Sequence, residues 1–209
     1  MPAFPPSQRA NLLRTARRRQ SGVTMLESLI AVVVLSFGML GVVGLQAAAL
    51  QANKEARYQS SAVRLARELG ELMRGNKDVA IATSAAANPY LADFTGTLPA
   101  AGASCFTGAC ATPLEVASFQ MRDWLVRVAA ELPGARVKVC VDDTPFTAAG
   151  LPQWDCSGAG GTTVVKIGWT QGTTDHGATG SSGAANAIPG LDRAVRPAVV
   201  LSLLAGSSE

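Results

Sequence analysis

The sequence predicts an α+β fold. One long N-terminal helix, with a membrane half and an amphipathic half, packs on a small antiparallel β-sheet with one additional helix. Three observations carry this. From Ser28 to Asn53 there is no charged residue, and the pattern then turns amphipathic. Residues 112–132 hold a helix-start signal followed by one apolar face. Three later segments have strand composition.

The uncharged run is densest from Leu29 to Leu45. A membrane helix needs roughly 17–25 apolar residues, which this segment supplies. Gly38, Gly41 and Gly44 recur at three-residue spacing, and no proline occurs between Met25 and Asn88. A core helix of a soluble protein is the competing explanation, but such helices are usually shorter and follow no arginine block. Here Arg9, Arg14, Arg17, Arg18 and Arg19 stand in the first 22 residues with no acid among them. The net charge of +3 comes from 18 basic and 15 acidic residues, so without these five arginines the remainder is acidic. A basic block directly before an apolar run follows the positive-inside rule and argues against a nucleic-acid surface.

The helix continues past Leu45. Ala62, Leu65, Ala66, Leu69, Leu72 and Met73 recur at helical spacing. Arg64/Glu68 and Arg67/Glu71 are expected as i,i+4 pairs on the polar side. Gly75-Asn76 is a stop signal. From Val23 to Arg74 such a helix measures roughly 78 Å. The small, irregular apolar positions disfavour a coiled-coil seam.

Residues 76–111 are rich in Ala, Thr and Gly, contain Pro89 and Pro99, and read mostly as a connecting loop. Thr112-Pro113-Leu114-Glu115 is a capping box with Pro at the first helical position. Leu114, Ala117, Met121, Trp124, Leu125, Val128 and Leu132 then form one face, and Pro133-Gly134 stops the helix. Arg136–Asp142 alternates with Val137, Val139 and Val141 inward. Thr163–Thr170 alternates with Val165, Ile167 and Trp169 inward, and Pro197–Ala205 is apolar on both sides. Together these are expected to form one antiparallel sheet on the long helix. Gln171–Gly190 reads as a loop that holds the only histidine, His176.

The four cysteines are Cys105, Cys110, Cys140 and Cys156. A membrane-anchored domain outside the cytoplasm lies in an oxidising compartment, and four cysteines allow three pairings. Cys105–Cys110 closes the short loop CFTGAC, where Gly108 permits a tight turn. Cys140–Cys156 links a strand to the connection leading into the next strand. A loop of that size is worth about 3 kcal/mol in the chain-entropy account. That matters where aromatics are only 5% of the chain. No two cysteines stand two residues apart, so a four-thiolate zinc site and a redox motif are disfavoured.

No catalytic constellation appears. One histidine outside any strand does not readily supply a triad, and Asp175 beside His176 is too little for a metal site. GAGG at 158–161 lies between strands rather than before a helix, so it is no phosphate loop. The chain is expected to be neither an enzyme nor a cofactor or metal carrier.

Two readings of the N-terminus compete. One is an ordinary secretory signal cut near Ala47-Ala48-Ala49, although the apolar run exceeds the roughly 7–15 residues of such a signal. The other places a cut between Gly22 and Val23, which removes the arginines, keeps the apolar helix and makes Glu27 the fifth residue. A charge entering lipid costs about 2.5 kcal/mol or more, so Glu27 asks for an explanation. It either rests at the headgroup level or meets a cation.

With a basic leader, Gly22, Val23, Glu27 and Leu29–Leu45 in that order, the sequence resembles the type IV prepilin family. Val23 stands where the family usually has Phe, and the leader is longer than the shortest in the family. The resemblance implies a type IV pilin-like fold in four parts. Residues 1–22 would be a cleaved leader, 23–45 a transmembrane and fibre-core helix, and 46–75 its amphipathic periplasmic half. Residues 76–209 would be a periplasmic globular domain with the disulfides. It also implies a prepilin peptidase that cuts before Val23 and can methylate it, and a Glu27 that pairs with a terminal amine during assembly. DWLVRVAAELPGARVKVCVDD followed by VVKIGWTQ narrows the likeness to the minor-pilin group of type IV pilus modification proteins, PilV. The implied function is pilus biogenesis and twitching, with the major pilin and other minor pilins as partners. The implied location is the bacterial inner membrane, crossed once, and then the pilus. A type II secretion pseudopilin would share the N-terminus, and a secreted adhesive domain is the alternative from another class.

Overall fold

A computed structural model of the chain describes residues 24–102, 104–108, 110–170 and 196–206. Gly22, Val23, Asp175 and His176 lie outside them. Helix α1 is Met25–Gly75, α2 is Lys77–Ala80 and α3 is Pro113–Glu131; the strands are β1 Ala92–Phe94, β2 Arg136–Val141, β3 Thr163–Gly168 and β4 Val199–Leu203. The chain divides into two compact units, Met1–Ala47 and Ala48–Glu209.

In the first unit, α1 has every side chain exposed. In the second, one face of α1 is buried: Ala62, Leu65, Ala66, Leu69, Gly70 and Met73. Leu72 lies only half inside, against the rim of the core. The expected i,i+4 pairs along α1 are replaced. Arg64 reaches Glu131, Glu68 receives Arg127 at 2.7 Å, and Glu71 pairs with Arg74 at 2.5 Å. Two of these three link α1 to α3, whose proximity the sequence spacing along α1 could not register. The Arg64 hydrogen bond holds the Glu131 carboxyl below its ordinary value.

Helix α3 begins as its capping signal predicts. The Thr112 hydroxyl accepts from the Glu115 backbone N–H at 3.2 Å, and the Glu115 carboxylate accepts from the Ala111 N–H at 2.7 Å. Its face of Ala117, Met121, Trp124, Leu125 and Val128 is buried, whereas Leu114, in the first turn, is exposed. The Trp124 indole donates to the Leu65 carbonyl at 2.9 Å, fixing α3 against α1. Tyr90 fills the end of this core and donates to Gln120 at 2.5 Å, and burial pushes its phenol upward.

The sheet is antiparallel with order β1-β2-β3-β4. Residues 76–111, expected to be mostly loop, contribute α2 and the edge strand β1, which pairs Ala92, Asp93 and Phe94 with Val139, Lys138 and Val137. A three-residue strand has no periodicity to read; its position is set by pairing and by burial of Phe94. Val137, Val139, Val165 and Ile167 face the helices in one core cluster. Trp169 lies just past β3 yet is buried, donating to Glu55 at 3.3 Å.

β3 is buried along its whole length. Its inner side faces the helices, and its outer side lies under the β2–β3 connection. That connection places Trp154 under Arg136, whose guanidinium carbon is 4.2 Å from the ring centroid. It also buries Lys166, which strand alternation alone would leave in water. Lys166 lies directly across from Lys138, a pairing of like charges. Each has its own carboxylate: Asp93 at 3.3 Å for Lys138, and Asp142 at 2.6 Å for Lys166. Burial alone would push the Asp142 carboxyl up. Hydrogen bonds from Lys166 and from the Ser157 and Thr144 N–H groups outweigh it and hold the group below its ordinary value. GAGG ends the connection as a turn. Gly158, Gly160 and Gly161 have positive φ, and a Cβ on Gly160 would come within 2.4 Å of Asp143.

Two outcomes follow from this packing. A Cβ on Gly70 would lie 3.4 Å from the flexible end of Leu203. Gly70→Ala is therefore expected to gain up to about 1 kcal/mol of stability from helix propensity, and Gly70→Leu to lose roughly 1–3 kcal/mol by overpacking. Urea unfolding of the protein in detergent micelles measures both, and an alanine variant weaker than wild type would contradict the spacing. The second concerns acid. Below the ordinary carboxyl value of 3.8 the unfolded chain takes up a proton that native Asp142 refuses. Asp142's contribution is thus present above that value and is lost as pH falls through the lower native one. Glu131 acts in the same direction. Asp142→Asn should flatten the acid slope of the urea midpoint; a slope identical to wild type would contradict the assignment.

Candidate assembly site

The first described turn of the chain contains the residue that the sequence singles out. Thr24 precedes α1, and its hydroxyl accepts from the Glu27 backbone N–H at 3.3 Å, while its carbonyl accepts from Ser28 N–H at 3.2 Å. Thr24 is thus the N-cap, and Glu27 stands at the third helical position, where a negative side chain favours the helix dipole. Thr24-x-x-Glu27 is the standard sequence signal for such a cap, masked here by the charge of Glu27 beside an apolar run. Among the described residues no cation lies within ion-pair distance of the Glu27 carboxylate.

Beyond Glu27, α1 shows apolar side chains on every side. Leu29, Val33, Phe37, Leu40 and Val43 are all more than half exposed. A helix that is apolar all round suits a hydrocarbon or protein-packed environment rather than water. Ser36, within this stretch, donates to the Val32 carbonyl at 2.7 Å, so its hydroxyl needs no outside partner. Gly38, Gly41 and Gly44 open onto space; a Cβ on any of them would meet nothing within 4 Å. Among the described residues, α1 is the one helix long and apolar enough to cross a membrane.

In the second unit the cysteines form Cys105–Cys110 and Cys140–Cys156, with Cα separations of 5.1 and 6.4 Å. The shorter loop presents Phe106, largely exposed, edge-on to Phe119 at 5.0 Å between centroids. Cys140, Asp142 and Cys156 bring ligand atoms within 4.8 Å of one another. This is no cation site as it stands: both sulfurs are bonded to each other, and the Lys166 ammonium already occupies the approach to Asp142. A shallow hollow of about 440 Å³ borders Leu72, Asn76, Cys110 and Val116.

Residues 17–43 match the prokaryotic N-terminal methylation motif, and residues 44–122 match the family described as type IV pilin Tt1218. No curated protein and no solved structure matches the chain. The motif implies membrane anchoring, processing by a prepilin peptidase and assembly with other pilins. The family is structural rather than enzymatic. β2, β3 and β4 fall outside both spans, but the two spans meet within α1 and run without a break from residue 17 to 122. The long helix, its apolar half and the small antiparallel sheet agree with them, and together these findings support a type IV pilin.

Proposed function

We propose that the chain is a minor pilin of a bacterial type IV pilus, of the PilV kind, which primes or joins the fibre and supports pilus biogenesis and twitching. The leader, residues 1–22, is cut between Gly22 and Val23, the site of N-methylation. Residues 23–45 cross the inner membrane once, 46–75 continue as the amphipathic half, and the domain from residue 76 lies in the periplasm. The observation that carries this reading is the match of residues 17–43 to a methylation motif directly over an all-round apolar half-helix. A type II secretion pseudopilin would share that N-terminus; the type IV pilin match over residues 44–122 favours the pilus. A secretory cut near Ala49 would fall inside α1.

In this proposal Glu27 receives the terminal amine of a neighbouring subunit, or of its own chain, during docking. In low dielectric a carboxylate and an ammonium are each costly alone and attract strongly together. An isolated subunit is disfavoured and a docked one favoured. The partners are the prepilin peptidase, the major pilin and other minor pilins.

Mass measurement of protein from its native host should give a chain beginning at Val23, and a start near Leu50 would overturn the pilin processing. Replacing Gly22 with a bulky residue should leave the full-length precursor in the membrane. The Glu27 substitutions separate two roles. A capping box accepts Gln as well as Glu. If Glu27 serves only the helix start, Glu27→Gln should enter sheared pilus fractions like wild type. If the charge is what assembly reads, Glu27→Gln and Glu27→Ala should both be cleaved, remain in the membrane and be depleted from fibres by tenfold or so, the effect of losing about 1.4 kcal/mol. Normal incorporation of the Gln variant would refute charge pairing.

A further inference from the structure

The Cys140–Cys156 disulfide is not the only fastening of its loop. Asp142 lies two residues after Cys140, and its Oδ1 accepts from the backbone N–H groups of Thr144 at 3.0 Å and Ser157 at 3.1 Å. Ser157 directly follows Cys156. The other oxygen of Asp142 is 2.6 Å from Lys166 Nζ, and both side chains are fully buried. Lys166 also donates to the Asp155 carbonyl at 2.5 Å, and Asp155 directly precedes Cys156. The backbone on both sides of Cys156 is therefore held by a carboxylate on the Cys140 side and an ammonium on β3. Lys166 stands two residues from Val164, the cross-strand partner of Cys140. None of these contacts passes through sulfur.

We propose that Asp142 and Lys166 form a non-covalent lock that seats Cys156 against Cys140, closing the loop before oxidation and keeping it closed after reduction. Two coupled pins, one on each side of the cysteine, leave little freedom to lose when the sulfurs join, which raises the effective concentration of one thiol at the other. The ion pair lies out of water, so it is not weakened by screening as a surface pair would be. Asp142 and Lys166 are positioning residues: the bond itself forms by ordinary exchange. With oxidised glutathione as the oxidant, one cysteine thiolate attacks the glutathione disulfide and expels a first glutathione thiolate. The second cysteine thiolate then attacks the mixed disulfide and expels another. Two electrons pass from the cysteines to glutathione, and the two cysteine protons end on the two released thiols. Cys105–Cys110 has no such lock among the described residues and serves as an internal reference.

The test uses the full chain in detergent micelles, equilibrated in glutathione buffers, with each disulfide followed by peptide mass mapping. Lys166→Met retains much of the side-chain length and removes the charge. It should lower the equilibrium constant for forming Cys140–Cys156 by about tenfold or more and leave Cys105–Cys110 unchanged. No change at Cys140–Cys156 overturns the lock. So does an equal fall at both disulfides, which would assign the effect to general unfolding. A second measurement does not depend on the buried lysine tolerating replacement. In the Cys140→Ser, Cys156→Ser double variant, the Thr144 and Ser157 amides should keep hydrogen-exchange protection within roughly tenfold of the oxidised wild type. Exchange at the rate of an open loop would show that the disulfide, not the ion pair, does the seating.

Discussion

A chain with 5% aromatic residues has few large side chains with which to fill a core, and the second unit depends on how closely its elements approach one stripe of α1. Ala62, Ala66 and Gly70 alternate along that stripe with Leu65, Leu69 and Met73. The small positions let other elements come near; at Gly70 there is room for the end of Leu203. The large aromatics are concentrated around this stripe and its sheet. All three tryptophans and Tyr90 are buried. Burying one such side chain is worth about 1.5–3 kcal/mol or more, so a handful of them offsets a large share of the ordering entropy. The indole N–H groups of Trp124 and Trp169 are met by Leu65 and Glu55 of α1, which sets the elements in register as well as in contact.

The same closeness explains why the sheet is covered on its far side. A four-stranded sheet with one face on a helix normally leaves the other in water. Here the β2–β3 connection folds over the outer face and buries Val164, Lys166 and Trp154. Covering that face requires taking Lys166 out of water, which is tolerable only because Asp142 and the Asp155 carbonyl meet its ammonium. Lys138, directly opposite, stays near the surface with Asp93. Two facing lysines thus have separate answers, one buried and one partly solvated. A single shared acid would leave one of them unmatched.

Much of this was legible in the sequence because it is local. The Thr112 cap, the end of α1 at Gly75, and the alternation of β2 and β3 each rest on residues a few positions apart. The features that escaped are those made by distant partners. β1 has three residues and exists only because β2 offers an edge. Arg64 turns from Glu68 to Glu131, which is 67 residues away in sequence. Lys166 alternates as an outward residue and is buried by a loop whose path no period reveals. Thr24 is a different case: its cap is local and was readable, but Glu27 drew attention as a charge beside lipid rather than as a third helical residue. At the candidate site the sequence supplied residue types and order, and the structure added which backbone groups are already satisfied.

That last point bears on how one helix can suit two surroundings. An α-helix satisfies its own backbone, so passing from an apolar medium to water demands no change of conformation, only of side chains. α1 makes the change in composition: apolar on every side through its first unit, then apolar on one face and charged on the other. The exception is the helix start, where the first N–H groups have no partner within the helix. Thr24 supplies one to the Glu27 N–H, which is one half of a capping box; the other half would run from the Thr24 N–H to the Glu27 carboxylate. A side chain required for capping would have its acceptor oxygens committed. Among the described residues no hydrogen bond or ion pair commits the Glu27 carboxylate, so its charge stays open to a cation. In the proposed assembly step it can be answered without unmaking the helix start.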